Sequence, residues 1–284
     1  MIKINDAKIT QKEEISKFLS ESFNQNITSY QNIFRYYKLF NEKYSDSPPP
    51  GFTLTKNKKL IGFLGLLSHK IQNKKNLWAL NMTSWIVNES SRGAGLQLIL
   101  KLMKFKNCII TNFSASDNVE KILLNLDFKE IDDSEFILKT YQYFINGITN
   151  SKNYLVGKKA IEIIKNKSQQ KILSDHFSMG CKVFSIFYEK ETIGLIFLNC
   201  GEFSQFIYAS NTNYIMSKKF WYKICFILLV HFKIKKIRVD SRFIHSALGK
   251  KINKKKTFIY AKNFNPKTIF RIYSEPIHKY GEFK

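Results

Sequence analysis

A chain of 284 residues that is 44% hydrophobic and 24% charged can bury one or two ordinary cores, which excludes a disordered or fibrous protein. Its charge is lopsided: 46 Lys and Arg stand against 22 Asp and Glu, a net +24, and only five of those cations are Arg. Two explanations stay open: a base-composition bias that inflates Lys, Asn and Ile together, or a surface that meets phosphate, nucleic acid or anionic lipid.

The four cysteines, Cys108, Cys181, Cys200 and Cys225, have neither CxxC nor paired metal-ligand spacing. They sit in apolar stretches and read as buried, reduced thiols, with no metal expected. The polar opening MIKINDAKIT lacks the apolar segment of a secretory signal. The longest apolar run, 220–232, is interrupted by Lys223 and too short to span a bilayer. The expectation is a cytoplasmic chain with no membrane span.

In chain order, residues 9–23 carry Ile15, Phe18, Leu19 and Phe23 at helical spacing and predict an amphipathic helix. A second helix is expected over 29–44 and stops at Pro48-Pro49-Pro50. A strand pair, 52–55 and 60–69, joined by 56–59, and a long strand over 78–87 follow. Then come a turn at 88–95, an apolar helix over 96–105 and a β-branched strand over 108–112. Ser116-Asp117-Asn118 opens a helix over 119–126, because such side chains accept bonds from first-turn amides. One or two strands over 128–138 close the unit.

A weak repeat runs through this order. Ile61-Gly62-Phe63-Leu64 is echoed by Ile193-Gly194-Leu195-Ile196, the strand 109–112 by 237–240, and the helix 96–105 by 224–233. The fold expected is α/β, with a mixed central sheet in residues 1–142 and a second, similar α/β domain in 143–284.

The stretch that carries chemistry is Trp85-Ile86-Val87-Asn88-Glu89-Ser90-Ser91-Arg92-Gly93-Ala94-Gly95-Leu96-Gln97. A strand ends, a glycine turn follows and a helix starts, leaving first-turn amides aimed at one spot with the positive end of the helix dipole behind them. A pyrophosphate fits such a spot. Gly93 and Gly95 would allow close approach and positive φ, and Arg92 a charge-assisted bond. A tight turn with no ligand fits the same pattern. The dinucleotide fingerprint GxGxxG and the P-loop GK[ST] are both absent.

Val87 followed by Arg92-Gly93-Ala94-Gly95-Leu96, with Ile122–Phe128 reading ILLNLDF, resembles the GCN5-related N-acetyltransferase (GNAT) superfamily over residues 51–139. Three positions depart from the family pattern. Gln97 replaces a small residue, Leu123 replaces the Tyr that protonates the leaving thiolate, and Asp127 replaces a Gly. The resemblance implies acetyl-CoA or another acyl-CoA as donor and a small-molecule amine as acceptor. The amides of 92–97 (Arg92, Gly93, Ala94, Gly95, Leu96, Gln97) would hold the pyrophosphate, with Asn118 nearby. The edge of Trp85, Ile86 and Val87 would pair with the pantetheine arm. A neutral amine attacks directly, so positioning and a base suffice. Candidates for base or positioning are His69, Ser84 and Glu89, with Thr83 and Ser114 beside them and His176, Asp240 and His245 in the second half. Each also reads plainly as a surface or structural residue.

In the second half the RGxG turn is gone. Counted by the repeat, Trp221 and Lys223 stand at the places of Gly93 and Gly95, which suggests a degenerate copy that builds an acceptor pocket or interface. Its dense aromatic residues, Phe203, Phe206, Tyr208, Tyr214, Phe220, Trp221 and Tyr222, read as core before they read as a binding stripe. Lys250, Lys251, Lys254, Lys255 and Lys256 form a basic run that could meet phosphate, but no nucleic-acid-binding motif accompanies it. Two rivals remain: an aminoacyl-tRNA-dependent transferase of the same tandem fold, and a non-catalytic basic binding protein.

Overall fold

The computed structural model describes residues 1–24, 31, 47–71, 77–113, 115–148 and 153–260. The helix expected over 29–44 lies outside these residues except for Gln31, and Ser114 lies outside them too. The strands are β1 (Ile2–Asp6), β2 (Gly51–Lys56), β3 (Lys59–Lys70), β4 (Trp78–Val87), β5 (Cys108–Asn112), β6 (Lys129–Lys139), β7 (Tyr154–Val156), β8 (Lys182–Tyr188), β9 (Glu191–Cys200), β10 (Phe203–Ala209), β11 (Lys236–Asp240) and β12 (Lys250–Tyr260). The helices are α1 (Lys12–Phe23), α2 (Leu96–Met103), α3 (Asp117–Asn125), α4 (Phe144–Ile148), α5 (Lys158–Glu162), α6 (Lys167–Ser178) and α7 (Lys218–Phe232). The chain forms two compact units: Met1–Ile131 with a stretch beginning at Thr257, and Asp132–Lys256.

In the first unit the sheet runs β1-β2-β3-β4-β5 and then the end of β12. Pairing is antiparallel from β1 to β4, parallel between β4 and β5, and antiparallel again where Phe258 faces Asn112. Asn57 and Lys58 both adopt positive φ (52° and 65°), so the β2–β3 connection is the tight hairpin whose twist suits flanking strands. One sheet face buries Trp78, Leu80 and Met82 with Leu98, Ile99 and Leu102 of α2. Ile15 and Leu19 of α1 are fully buried, and α1 packs on β3 and β4. The edge strand β1 was not anticipated, because its side chains are almost all outside the core and leave no apolar period to read.

The second unit repeats this plan. Its sheet runs β7-β8-β9-β10-β11-β6, with β10 and β11 parallel and the other pairs antiparallel. Glu189 and Lys190 repeat the positive-φ hairpin at the β8–β9 turn (45° and 69°). The suggested echoes fall on equivalent elements: β3 on β9, β5 on β11, and α2 on α7. One feature could not be read from the repeat. The strand beside β11 is β6, which precedes the rest of its unit, whereas the strand beside β5 is residues 258–260, near the other end of the chain. No helix among the described residues is long and apolar enough to cross a membrane, and no cluster of His, Cys, Asp and Glu among them could hold a metal ion.

Candidate active site

Strands β4 and β5 pair from Trp78↔Cys108 to Asn81↔Thr111, where β5 is one residue from its end. β4 continues for six more residues. Over that length its backbone edge towards β5 is outside the β4–β5 ladder and can accept an extended ligand. On its other side the register with β3 shifts. Gly65 faces Thr83 and Phe63 faces Ile86, so Ser84 and Trp85 together oppose Leu64 alone. This is a β-bulge, and Ser84 takes a left-handed φ of 49° within it. The extra residue inverts the alternation. Before the bulge Trp78, Leu80 and Met82 belong to the α2-side core, and after it Trp85 and Val87 do. The bulge thus re-aims the end of β4 where it parts from β5.

The following turn is a short 3-10 segment, Glu89–Ala94, kinked at Ser91. It is tied down by bonds from the Asn88 amide to the Ile61 carbonyl (2.8 Å) and from the Gly95 amide to the Arg92 carbonyl (3.0 Å). The first bond of α2 runs from the Leu98 amide to the Gly95 carbonyl (3.1 Å), so the amides of Leu96 and Gln97 precede it at the helix mouth. Neither Gly93 nor Gly95 adopts the positive φ expected of it. Gly95 has helical angles, and a Cβ there would stand 3.0 Å from Val87 Cγ2 and 3.2 Å from the Arg92 carbonyl oxygen. Its role is close packing of the turn on β4. A Cβ on Gly93 would meet nothing within 4 Å, so the turn is open at that residue.

Trp85, Ile86, Val87, Arg92, Gly93, Ala94, Gly95, Leu96 and Gln97 therefore lie together, at the C-terminal end of β4 and its turn. Ser84 is in the bulge, its hydroxyl 3.4 Å from that of Thr83. Glu89 binds Arg92 at 2.7 Å, and both side chains are highly exposed. Asn118 is exposed in the first turn of α3, after the C-terminal end of β5 and thus on the same edge of the sheet. His69 is not brought in. It faces Ala79, five residues before Ser84 on β4, about 16 Å away at the usual strand rise. Burial also pushes its imidazole down to about 4, which makes it a poor base at neutral pH. Leu123 is fully buried in the core, and Asp127 takes the left-handed φ (61°) that ends α3, with the Phe128 amide bonded to the Leu123 carbonyl (3.0 Å).

Sequence reasoning missed Asn81 and Thr111. Both are buried, and the Thr111 hydroxyl donates to Asn81 Oδ1 (3.2 Å) across the last rung before the strands part. The available signal was a polar residue at a core position in each of two otherwise apolar strands. Thr83 is buried two residues beyond Asn81, so the mouth of the opening is lined by uncharged hydrogen-bonding groups.

The second unit has the same strand geometry without the turn. β10 is irregular between Phe206 and Tyr208, and its pairing with β11 ends at Gln205↔Arg238. The Ser210 amide bonds to the Gly194 carbonyl (2.8 Å), as Asn88 does to Ile61. Helix α7 has 15 residues against eight in α2, so its N-cap, Ser217, is the structural counterpart of Gly95. Trp221 and Lys223 instead lie within the helix, because the extra length is at its start. Trp221 is fully buried and its indole N–H donates to the carbonyls of Ile215 and Phe243. Lys223, also buried, donates to the Phe187 carbonyl (2.8 Å). His176 is buried on α6, and His245 caps the short turn after β11 through Ala247. Of the aromatic residues expected in this core, Phe206, Tyr208, Phe220 and Trp221 are buried.

No protein-family model and no curated protein sequence matches the chain. Solved structures do match. A GCN5-related N-acetyltransferase from Kribbella flavida superposes over 91% of this chain and 71% of its own, with 8% identity and a TM-score of 0.62. Another, from Anabaena variabilis, covers 91% and 72% with 10% identity and a TM-score of 0.56. A Pyrococcus horikoshii structure covers 95% of this chain and 92% of its own, with 10% identity and a TM-score of 0.55. The chain has the GNAT fold, built as two mixed α/β sheets in tandem.

Proposed function

We propose that the first unit is an acyl-CoA-dependent N-acyltransferase that moves an acetyl group to a primary amine of a small molecule. The observation that carries the reading is one conjunction: β4 bulges and parts from β5 where its turn opens at Gly93 onto the first amides of α2. That combination of an extended open edge and a helix mouth matches a ligand with an extended amide-bearing arm and a pyrophosphate. The similarity of the whole chain to N-acetyltransferase structures supports the same class.

In this reading the amides of Leu96 and Gln97, with Arg92, hold the pyrophosphate, and the edge of Trp85, Ile86 and Val87 holds the pantetheine arm. Acetyl-CoA supplies an activated thioester. The side chain of Gln97 is exposed and leaves its amide accessible. Arg92 must leave Glu89 to reach a phosphate, so Glu89 belongs to donor binding. Thr83, Ser84, Asn81 and Thr111 line the opening and orient the amine by hydrogen bonds, and their neutrality suits an amine that attacks as the free base. With Leu123 buried, proton delivery to the departing thiolate does not come from that position. The second unit, its counterpart turn filled by Ile215 and Trp221, binds no acyl-CoA. A nucleotide-linked amino sugar is an acceptor that suits the basic surface. Four cysteines without a disulfide suit a reducing cytoplasm.

Calorimetric titration of acetyl-CoA into the full chain tests the donor, and thiol release across a panel of amines tests the transfer. Saturable binding to one site with amine-dependent thiol release is expected. A protein that binds neither acetyl-CoA nor longer acyl-CoAs would sink the reading, and aminoacyl-tRNA and other polyanions would replace it as ligands.

A further inference from the structure

The second unit carries a charged cluster at the place where the first has Asn81 and Thr111. Gln205 and Arg238 form the last parallel rung of β10 and β11. Asp240 stands directly opposite Glu135 across the antiparallel β11–β6 pair. Alternation puts Gln205, Arg238, Asp240 and Glu135 on one sheet face, with Phe203 two residues before Gln205. Glu135, Asp240 and Gln205 are buried at 2%, 5% and 5% exposure. Two carboxylates facing each other across neighbouring strands repel, and burying charge is costly, so the cluster is not there to fill space. Arginines compensate it: Arg238 Nε lies 3.4 Å from Glu135, and Arg242 Nη2 lies 3.2 Å from Asp240.

Arg238 is set differently from Arg242. Its guanidinium carbon lies 3.9 Å from the centroid of the Phe203 ring, and its Nε stands 3.4 Å from a Glu135 carboxylate oxygen, an ion pair without a hydrogen bond. No acceptor for its two terminal nitrogens occurs among the described residues. A guanidinium held against a ring and paired at Nε has its fork already oriented, the arrangement that recognises a planar oxyanion through two parallel bonds. Composition points the same way. The chain uses Lys for 41 of its 46 cations, yet two of its five arginines fall in this cluster. A compact ammonium would serve a surface charge, whereas a fork is required for bidentate contact.

We infer that the second unit binds a carboxylate-bearing small molecule where β10 and β11 part, anchored by the terminal nitrogens of Arg238 with the Gln205 amide beside them. Glu135 and Phe203 are positioning residues that fix the guanidinium plane. This site needs no acyl-CoA and stands independently of the donor reading.

The scarcity of arginine provides the test. The full chain labelled with ¹⁵N-arginine gives five Nε–H signals, and Arg238→Lys identifies the one of interest. Acetate is titrated in one arm and inorganic phosphate in the other at constant ionic strength. The expected result is a saturable shift of the Arg238 signal with acetate, at a concentration at least about tenfold lower than phosphate requires, given the planar match. Phe203→Leu, which keeps an apolar side chain, should weaken the acetate response several-fold with the fold intact, even if Arg238→Lys does not fold. An Arg238 signal that moves no more than the other four overturns the proposal. A response to phosphate alone overturns its carboxylate assignment.

Discussion

Replacing Gly93 by Leu should separate ligand binding from folding in the proposed donor site. A Cβ at residue 93 meets nothing within 4 Å, and the residue has helical backbone angles, so Leu introduces neither a clash nor strain. Restricting the unfolded chain at such a glycine typically gains about 0.4–1 kcal/mol. For a protein of this size that raises the melting temperature by roughly 1–4 °C. In the proposed donor site the same side chain would compete with a pyrophosphate for the space before the Leu96 and Gln97 amides. Loss of one such contact weakens binding by about tenfold or more, or roughly 1.4 kcal/mol. Gly95 behaves oppositely. Its Cβ would press Val87 Cγ2 at 3.0 Å and the Arg92 carbonyl at 3.2 Å, with the Trp85 indole at 3.6 Å. A bulky residue there damages the turn itself and cannot report on the ligand. Thermal unfolding and calorimetry on Gly93→Leu provide the assay. A variant that is as stable as the wild type and still binds acetyl-CoA with wild-type affinity would refute the assignment of the turn.

Glu89→Gln frees Arg92 from its ion pair and should tighten acetyl-CoA binding two- to fivefold, the modest scale of an exposed pair. If the variant instead loses turnover a hundredfold at unchanged affinity, Glu89 is the base and its placement in donor binding is wrong. For His69, burial lowers the folded pKa to about 4 against 6.5 in the unfolded chain. Its contribution to stability is thus complete above pH 6.5 and lost as pH falls from 6.5 through 4, by a few kcal/mol at most. Chemical denaturation across that window should show the loss in the wild type and a flatter profile in His69→Gln; parallel profiles would contradict the burial argument. Truncation after Gly249 removes β12, including the strand that pairs with β5. Amide exchange should then rise in β5 and acetyl-CoA binding should disappear; retained binding would show that the first unit closes its sheet without that strand.

The sequence was most legible where one period was undisturbed. The strands β3, β4 and β5, the helix α2 and the paired echoes Gly62 and Gly194 all came from apolar spacing and glycine placement. The bulge at Ser84 was hidden because strand alternation says nothing about an inserted residue until the register with a neighbour is known. The strand beside β5 was hidden for a similar reason: residues 258–260 look like any short apolar run, and their partner lies about 150 positions earlier. Helix length misled the comparison of the two halves. An offset counted from β5 and β11 placed Trp221 at Gly93, whereas the longer α7 puts its cap at Ser217. Asn81 and Thr111 show how a site residue escapes notice when its chemistry is unremarkable and only its burial marks it.

The most direct test of the central claim is hydrogen–deuterium exchange of the full chain with and without saturating acetyl-CoA. The predicted result is slowed exchange confined to the end of β4, the 88–95 turn and the first amides of α2, with β10 and α7 unchanged. Protection at α7, or none in the first unit, would contradict the account.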